Sequence, residues 1–311
     1  MSLPENTSPN AIPLISRSII GLAVFFAAIA SVHAQNVLYA SVTNNTSGEI
    51  DTIDASGNAK PFVTGLSFPQ SIALNSGGDL FVADNGTEQI DQVSPTGNLS
   101  VFASGLLAGG LAIDSAGNVY VANDNNGQID RFNSQGVEDS TPFATGLSSP
   151  AGLTFDSSGN LFAADSGSGT IDKITPAGQL STFASGLNSP TELKFDTSGD
   201  LFVSNFSQGT VQKFASGSTT PSTFVSGLVS PAGLAFDKSG NLFVADFLAS
   251  TIDEVSPDGT VKSPPFLSPI NAYDLAYGAA PVPEPNIFAS LWVGLVSLGG
   301  FGFLRRRVVR S

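Results

Sequence analysis

Ser149 to Asp172 reads SPAGLTFDSSGNLFAADSGSGTID, and this stretch returns, loosely edited, six times along the chain. Leu153 to Phe155 is a short apolar run, and Asp156 to Asn160 is turn chemistry: an Asp side chain can bond the backbone two residues on, and Gly159 accepts a positive φ. Leu161 to Ala164 is a second run, closed by Asp165 and a Gly-rich turn. Thr170 to Ile174 and Ser181 to Ala184 follow, so the unit predicts four short strands and no helix. In the copy at Leu80, both alternating faces are apolar: Leu80 and Val82 on one, Phe81 and Ala83 on the other. A sheet with one wet face would show polar residues at every second position. Each small sheet must therefore be covered on both sides, and neighbouring copies are the natural cover.

The second strand of each unit is expected to begin at Val37, Leu80, Val119, Leu161, Leu201 and Leu242, at intervals of 39 to 43 residues. An F-x-[ST]-G-L signature follows in five copies, from Phe62, Phe102, Phe143, Phe183 and Phe224; the sixth degrades to Phe266-Leu-Ser268. A four-stranded repeat of about 40 residues is propeller spacing. The ends point to closure. The first unit lacks an innermost strand, and an extra one, Tyr273 to Tyr277, follows the last unit and matches Gly233 to Phe236. The expectation is an all-β six-bladed propeller over residues 35–280, with 24 strands and the C-terminal strand completing the N-terminal blade.

The pattern P-x-G-L-x-[FI]-D-x-x-G-[ND]-[LV]-[FY]-V-[AS]-[DN] resembles the NHL-repeat propellers and the related SMP-30/gluconolactonase and virginiamycin B lyase-like proteins. The resemblance implies a six-bladed fold. It does not select a function, because such propellers host enzymes, binders and scaffolds alike.

Composition narrows the function classes. Residues 35–285 carry seven Lys and Arg against 25 Asp and Glu, a net −18, which argues against nucleic acid and anionic membrane surfaces as partners. There is no cysteine, and the one histidine, His33, lies in the N-terminal apolar segment. The remaining chain can host neither a Ser-His-Asp nor a Cys-His nucleophile, nor a histidine zinc site. Resemblance to the lyase-like enzymes implies a catalytic histidine, which is missing. Resemblance to the gluconolactonases implies metal-holding carboxylate and Asn side chains on innermost strands, some just before the P-x-G glycine. Those positions read Gln70, Gly109, Ala151, Thr191, Ala232 and Tyr273, with no carboxylate among them.

The glycine position itself reads Ser71, Gly110, Gly152, Glu192, Gly233 and Asp274. Glu192 and Asp274 bring two acids to the channel, two blades apart. They are candidates for a Ca²⁺ site or a ligand-polarising pair. Alternatively Glu192 pairs with Lys194, which points the same way on a period-two strand, and Asp274 marks a degraded last repeat. The acids recurring on third strands (Asp51, Asp91, Asp130, Asp172 and Asp253) and those opening the first hairpin (Asp114, Asp156, Asp196 and Asp237) read as structural, since a catalytic site needs asymmetry. Loops 84–89 and 123–127 are acidic but lack the ligand spacing of a known Ca²⁺ loop.

Both chain ends read as targeting signals. Ile19 to Ala30 is apolar, follows Arg17 and ends in Ser31-Val-His-Ala34; as a helix it would span about 18 Å, too short to cross a bilayer. It is expected to be a signal peptide, residues 1–34, cut by signal peptidase after Ala34. At the other end Pro283-Glu284-Pro285 precedes 18 uncharged residues, 287–304, and then Arg305, Arg306, Arg307 and Arg310. This order resembles the PEP-CTERM sorting signal of Gram-negative bacteria. The resemblance implies a transient transmembrane helix, recognition by an exosortase-type membrane protease, and delivery of the propeller to the cell surface or extracellular matrix alongside exopolysaccharide. The function expected is a non-catalytic propeller binding a glycan, matrix component or protein partner. Its rivals are a metal-dependent lactonase- or lyase-like enzyme using Glu192 and Asp274, and a purely structural matrix protein.

Overall fold

The computed structural model describes residues 36–44 and 47–281. The expected signal segment with its cut after Ala34, and the sorting residues Pro283, Glu284, Pro285, Arg305, Arg306 and Arg307, lie outside these. Six antiparallel sheets make a six-bladed propeller. In blade 4 the strands Pro150–Phe155, Leu161–Asp165, Thr170–Ile174 and Leu180–Ser185 pair in chain order from the channel outward. Blade 1 is composite: Ala272–Ala279 lies inside Asn36–Asn44, with Asn36 opposite Ala279, Leu38 opposite Tyr277 and Ala40 opposite Leu275. The same C-terminal strand touches the innermost strands of blades 2 and 6, so it closes the ring.

Three boundaries differ from the sequence expectation. Leu38, not Val37, is the counterpart of Leu80, because Leu38 faces Ile53 as Leu80 faces Val93. The closing strand extends from Ala272 to Ala279, beyond the expected Tyr273 to Tyr277. Among the described residues there are 23 strands rather than 24, since blade 6 has three. Its outer strand is replaced by single bridges, Val255 to Val261 and Ile252 to Leu267. Pro264, Pro265 and Pro269 fall there, and proline has no N–H to give a ladder. In blade 3 the outer strand shrinks to Ala144–Thr145, two residues after Pro142.

All five residues of each second strand in blades 2 to 6 are buried, which is what apolar residues on both faces require. The core is a set of inter-blade seams. Between blades 4 and 5, Phe162, Ile171, Leu193, Leu201 and Phe214 form one of them. The Phe of the F-x-[ST]-G-L signature belongs to these seams: Phe183 meets Phe162 edge-on at 5.2 Å, and Phe162 meets Phe195 at 5.1 Å. Such pairs contribute about 0.5–1.5 kcal/mol beyond the area they bury.

The recurrent acids hold backbone. Asp156 accepts the N–H groups of Ser158 and Asn160 and the side-chain amide of Asn160, which fixes the first hairpin. Asp165, closing the second strand, accepts the N–H groups of Ser148 and Ser149 at 2.8 Å each, in the loop arriving from blade 3. Asp84 and Asp246 do the same in blades 2 and 6. These charge-assisted bonds latch each loop to the blade it enters.

Candidate functional site

The innermost strands of blades 2 to 6 slip register at one place, between the proline or alanine that opens the strand and the leucine or isoleucine three residues on. This bulge turns the residues between toward the channel. Neighbouring innermost strands approach so closely there that a Cβ on Gly110 would lie 2.1 Å from the Ala151 carbonyl oxygen, and one on Gly152 would lie 2.5 Å from that of Thr191. The glycine of P-x-G is thus a requirement of blade-to-blade contact. Ser71, Glu192 and Asp274 are the exceptions, and each carries its own polar contact.

Asp274 is buried and fully engaged. One carboxylate oxygen accepts the Leu275 N–H at 2.7 Å; the other accepts the Ile72 N–H at 2.9 Å and the Ser71 hydroxyl at 3.3 Å. Ser71 in turn accepts the Leu111 N–H at 3.1 Å, so one carboxylate ties together blades 1, 2 and 3. Two further hydroxyls bridge innermost strands. Ser41 donates to the Gln70 carbonyl and accepts the Asp274 N–H. Ser204 donates to the Ala232 carbonyl and accepts the Glu192 N–H. Sequence reasoning missed both, although they stand where Ala83, Ala122, Ala164 and Ala245 stand in the other blades, and that exception was legible.

Lys194 Nζ donates to Glu192 Oε1 at 3.0 Å. Burial pushes the Glu192 carboxyl up, Lys194 opposes it, and the Asp274 charge adds to the rise. Burial also pushes Asp274 up, against Lys194 and the N–H groups of Ile72 and Leu275. Burial alone would lower Lys194, but Glu192 and Asp274 together hold it above its ordinary value. The lumen thus brings together all three sequence-predicted residues, with Lys194 paired to Glu192 and Asp274 near enough for its charge to act on both. Among the described residues no group of three or more acids or histidines is arranged to hold a metal.

The channel has two unlike mouths. The narrow one, about 200 Å³, lies at the start of the innermost strands and is lined by Gln70, Asp124, Ser149, Thr191, Glu192 and Tyr273. No Lys or Arg lines it. The Tyr273 ring packs edge-on against Phe247 at 5.4 Å. The wide mouth, about 430 Å³, lies at the strand ends and is rimmed by Leu74, Ile113, Phe155, Phe195, Phe236 and Tyr277, with Lys194 its one charged residue. Glu192 faces the first and Lys194 the second, so their ion pair stands between the two.

Third-strand acids behave differently. Asp172 accepts the Thr170 hydroxyl and Asp130 the Asn123 amide. Asp51 has one buried oxygen with no partner, and burial, helped by Glu49, pushes it up to about 6. Asp91 also rises to about 6, through burial and then the Asp84 charge.

No protein-family model matches the sequence, and no curated protein sequence matches it. Solved structures do resemble the fold. A chain of a nidogen/laminin complex superposes with a TM-score of 0.69 at 18% identity, over 78% of this chain and 98% of that one. A protein of unknown function from Bacteroides caccae gives 0.60 at 16%, over 78% and 99%. A catalytically inactive histidine-to-alanine variant of Staphylococcus aureus virginiamycin B lyase, with quinupristin, gives 0.53 at 15%, over 81% and 76%. At these identities the likeness is one of fold, and with the sheet order above it makes the chain a six-bladed β-propeller.

Proposed function

We propose that the chain is an exported, non-catalytic propeller of the NHL/SMP-30 kind whose narrow mouth binds a glycan at the cell surface or in the extracellular matrix. The observation that carries this reading is the saturation of Asp274. Both its oxygens are taken by Ser71, Ile72 and Leu275, and Glu192 Oε1 by Lys194, which among the described residues leaves Glu192 Oε2 as the one oxygen of the two acids without a hydrogen-bond donor. A Ca²⁺ ion takes six to eight oxygens, and this pair fits that demand poorly. The lyase neighbour is described as inactive when a histidine is removed, and this chain has no histidine outside residue 33.

The narrow mouth has the chemistry of a sugar site: an aromatic ring, an amide and several hydroxyls around a cavity of about 200 Å³. With Asp124, Glu192 and Asp274 in its lining, and Lys194 the one cation nearby but opening on the other mouth, it favours neutral or amine-bearing sugars over uronic or sulfated ones. Export by the signal peptide and sorting through Pro283-Glu284-Pro285 by an exosortase-type protease complete the reading. Calorimetric titration of the chain with neutral, acidic and amino-sugar oligosaccharides, with and without Ca²⁺, tests it. Binding that Tyr273→Ala weakens at least tenfold, in a variant that still folds, supports it. Sub-millimolar Ca²⁺ binding lost in the double variant Glu192→Gln, Asp274→Asn would favour the metal-enzyme reading instead.

A further inference from the structure

The closing strand runs along the channel from Tyr273 at the narrow mouth to Tyr277 at the wide one, and the chain leaves it there through Ala280 and Pro281. Asn36, the first described residue, pairs with Ala279 and so lies at the same end. The described chain therefore both enters and leaves on the wide-mouth face. An innermost strand of six residues puts the narrow mouth about 20 Å away. Beyond Pro281, only residues 282–286 separate the fold from the uncharged run 287–304. Five residues reach about 18 Å at most, too short to carry the far face round to whatever holds that run.

We propose that, while the C-terminal segment is attached, the wide-mouth face is held against a lipid bilayer and the narrow mouth is presented away from it. This rests on reading residues 287–304 as the stretch that inserts into lipid. The tether sets the orientation. The face itself carries the hairpin acids Asp114, Asp156, Asp196 and Asp237, which an anionic lipid surface would repel. The chemistry of the two mouths agrees with this arrangement: the polar mouth, which would meet a soluble or matrix ligand, is the one turned outward.

The absence of cysteine makes a direct test available. Asn126→Cys lies on the narrow-mouth face and Ser157→Cys on the wide-mouth face; both positions are exposed. Each variant of the full chain is labelled with a fluorophore, checked for an unchanged melting temperature, and reconstituted into phosphatidylcholine vesicles carrying a nitroxide on the lipid headgroup. The expected result is several-fold stronger quenching at residue 157 than at 126. Equal quenching, or stronger quenching at 126, overturns the orientation. A chain that does not sediment with the vesicles overturns the membrane reading and the orientation together. The oligosaccharide titration reads the narrow mouth independently, so its failure is distinguishable from either.

Discussion

Lys194 donates to Glu192 across two residues of one strand, at 3.0 Å, and the acid end of this pair faces the narrow mouth while the ammonium faces the wide one. The pair has a second acid, Asp274, close enough to raise Glu192 further. Its stability contribution is therefore asymmetric: losing the cation should hurt more than losing either acid.

Lys194→Met should destabilise the fold, and more at pH 8 than at pH 5. Removing one partner of a buried pair costs about 3–5 kcal/mol; with the Lys194 side chain 26% exposed, about 1–3 is expected. Glu192 is already raised, so without Lys194 its ionised form becomes costlier still, and that cost grows as pH rises through its folded pKa. Adding Glu192→Gln should restore most of the loss at pH 8. Denaturant melts at the two pH values decide it; a pH-independent loss would mean that packing, not charge, is at stake.

Asp51→Asn should stabilise the protein at neutral and higher pH. Asp51 moves from 3.8 to about 6, so the folded state holds its proton more tightly than the unfolded one. Stability from this group is then greatest below about 3.8, falls as pH rises through about 6, and is lowest above that. At about 1.4 kcal/mol per unit, the substitution should gain roughly 1–3 kcal/mol at pH 8 and nearly nothing at pH 4. Thermal melts across that range give the profile, and a gain of equal size at pH 4 would point to a cause other than ionisation.

Gly152→Ala should cost about 1–3 kcal/mol by overpacking, because the added methyl meets the Thr191 carbonyl oxygen at 2.5 Å and the Glu192 Cα at 2.7 Å. Ser157→Ala, on an exposed hairpin, should be silent. Equal melting temperatures for the two variants would show that the innermost strands can move apart.

Ending the chain at Pro269 should remove the closing strand and with it fully buried Leu275 and Ala272. Burying a Leu-sized side chain contributes roughly 1.5–3 kcal/mol, and the exposed edge of Asn36–Asn44 would invite aggregation. Ending it at Pro281 should be silent. The strand reaches Ala279, whose carbonyl accepts the Tyr39 hydroxyl at 2.6 Å, so a cut at Gly278 should lie between the two. Soluble yield and melting temperature of the three chains make the comparison.

The sequence by itself determined the six-bladed architecture and its closure, because these follow from local rules repeated six times. Alternating apolar faces demand cover, Asp-x-x-Gly-Asn demands a hairpin, and a unit short of one strand at the start needs it back at the end. Even the loss of the last outer strand was legible in Pro264, Pro265 and Pro269, had the missing N–H groups been counted. Tertiary structure alone decided the state of the channel acids. Whether Asp274 is open or saturated depends on Ser71 and Ile72, more than 200 residues earlier, brought beside it only when the ring closes. Asp51 and Asp172 differ for a local reason that the sequence did carry: Asp172 has Thr170 two residues before it as a donor, whereas Asp51 has Glu49 there and keeps an unpartnered oxygen. A carboxylate's chemistry is set by the donors within about 3 Å of it, and for Asp274 two of those donors come from another blade.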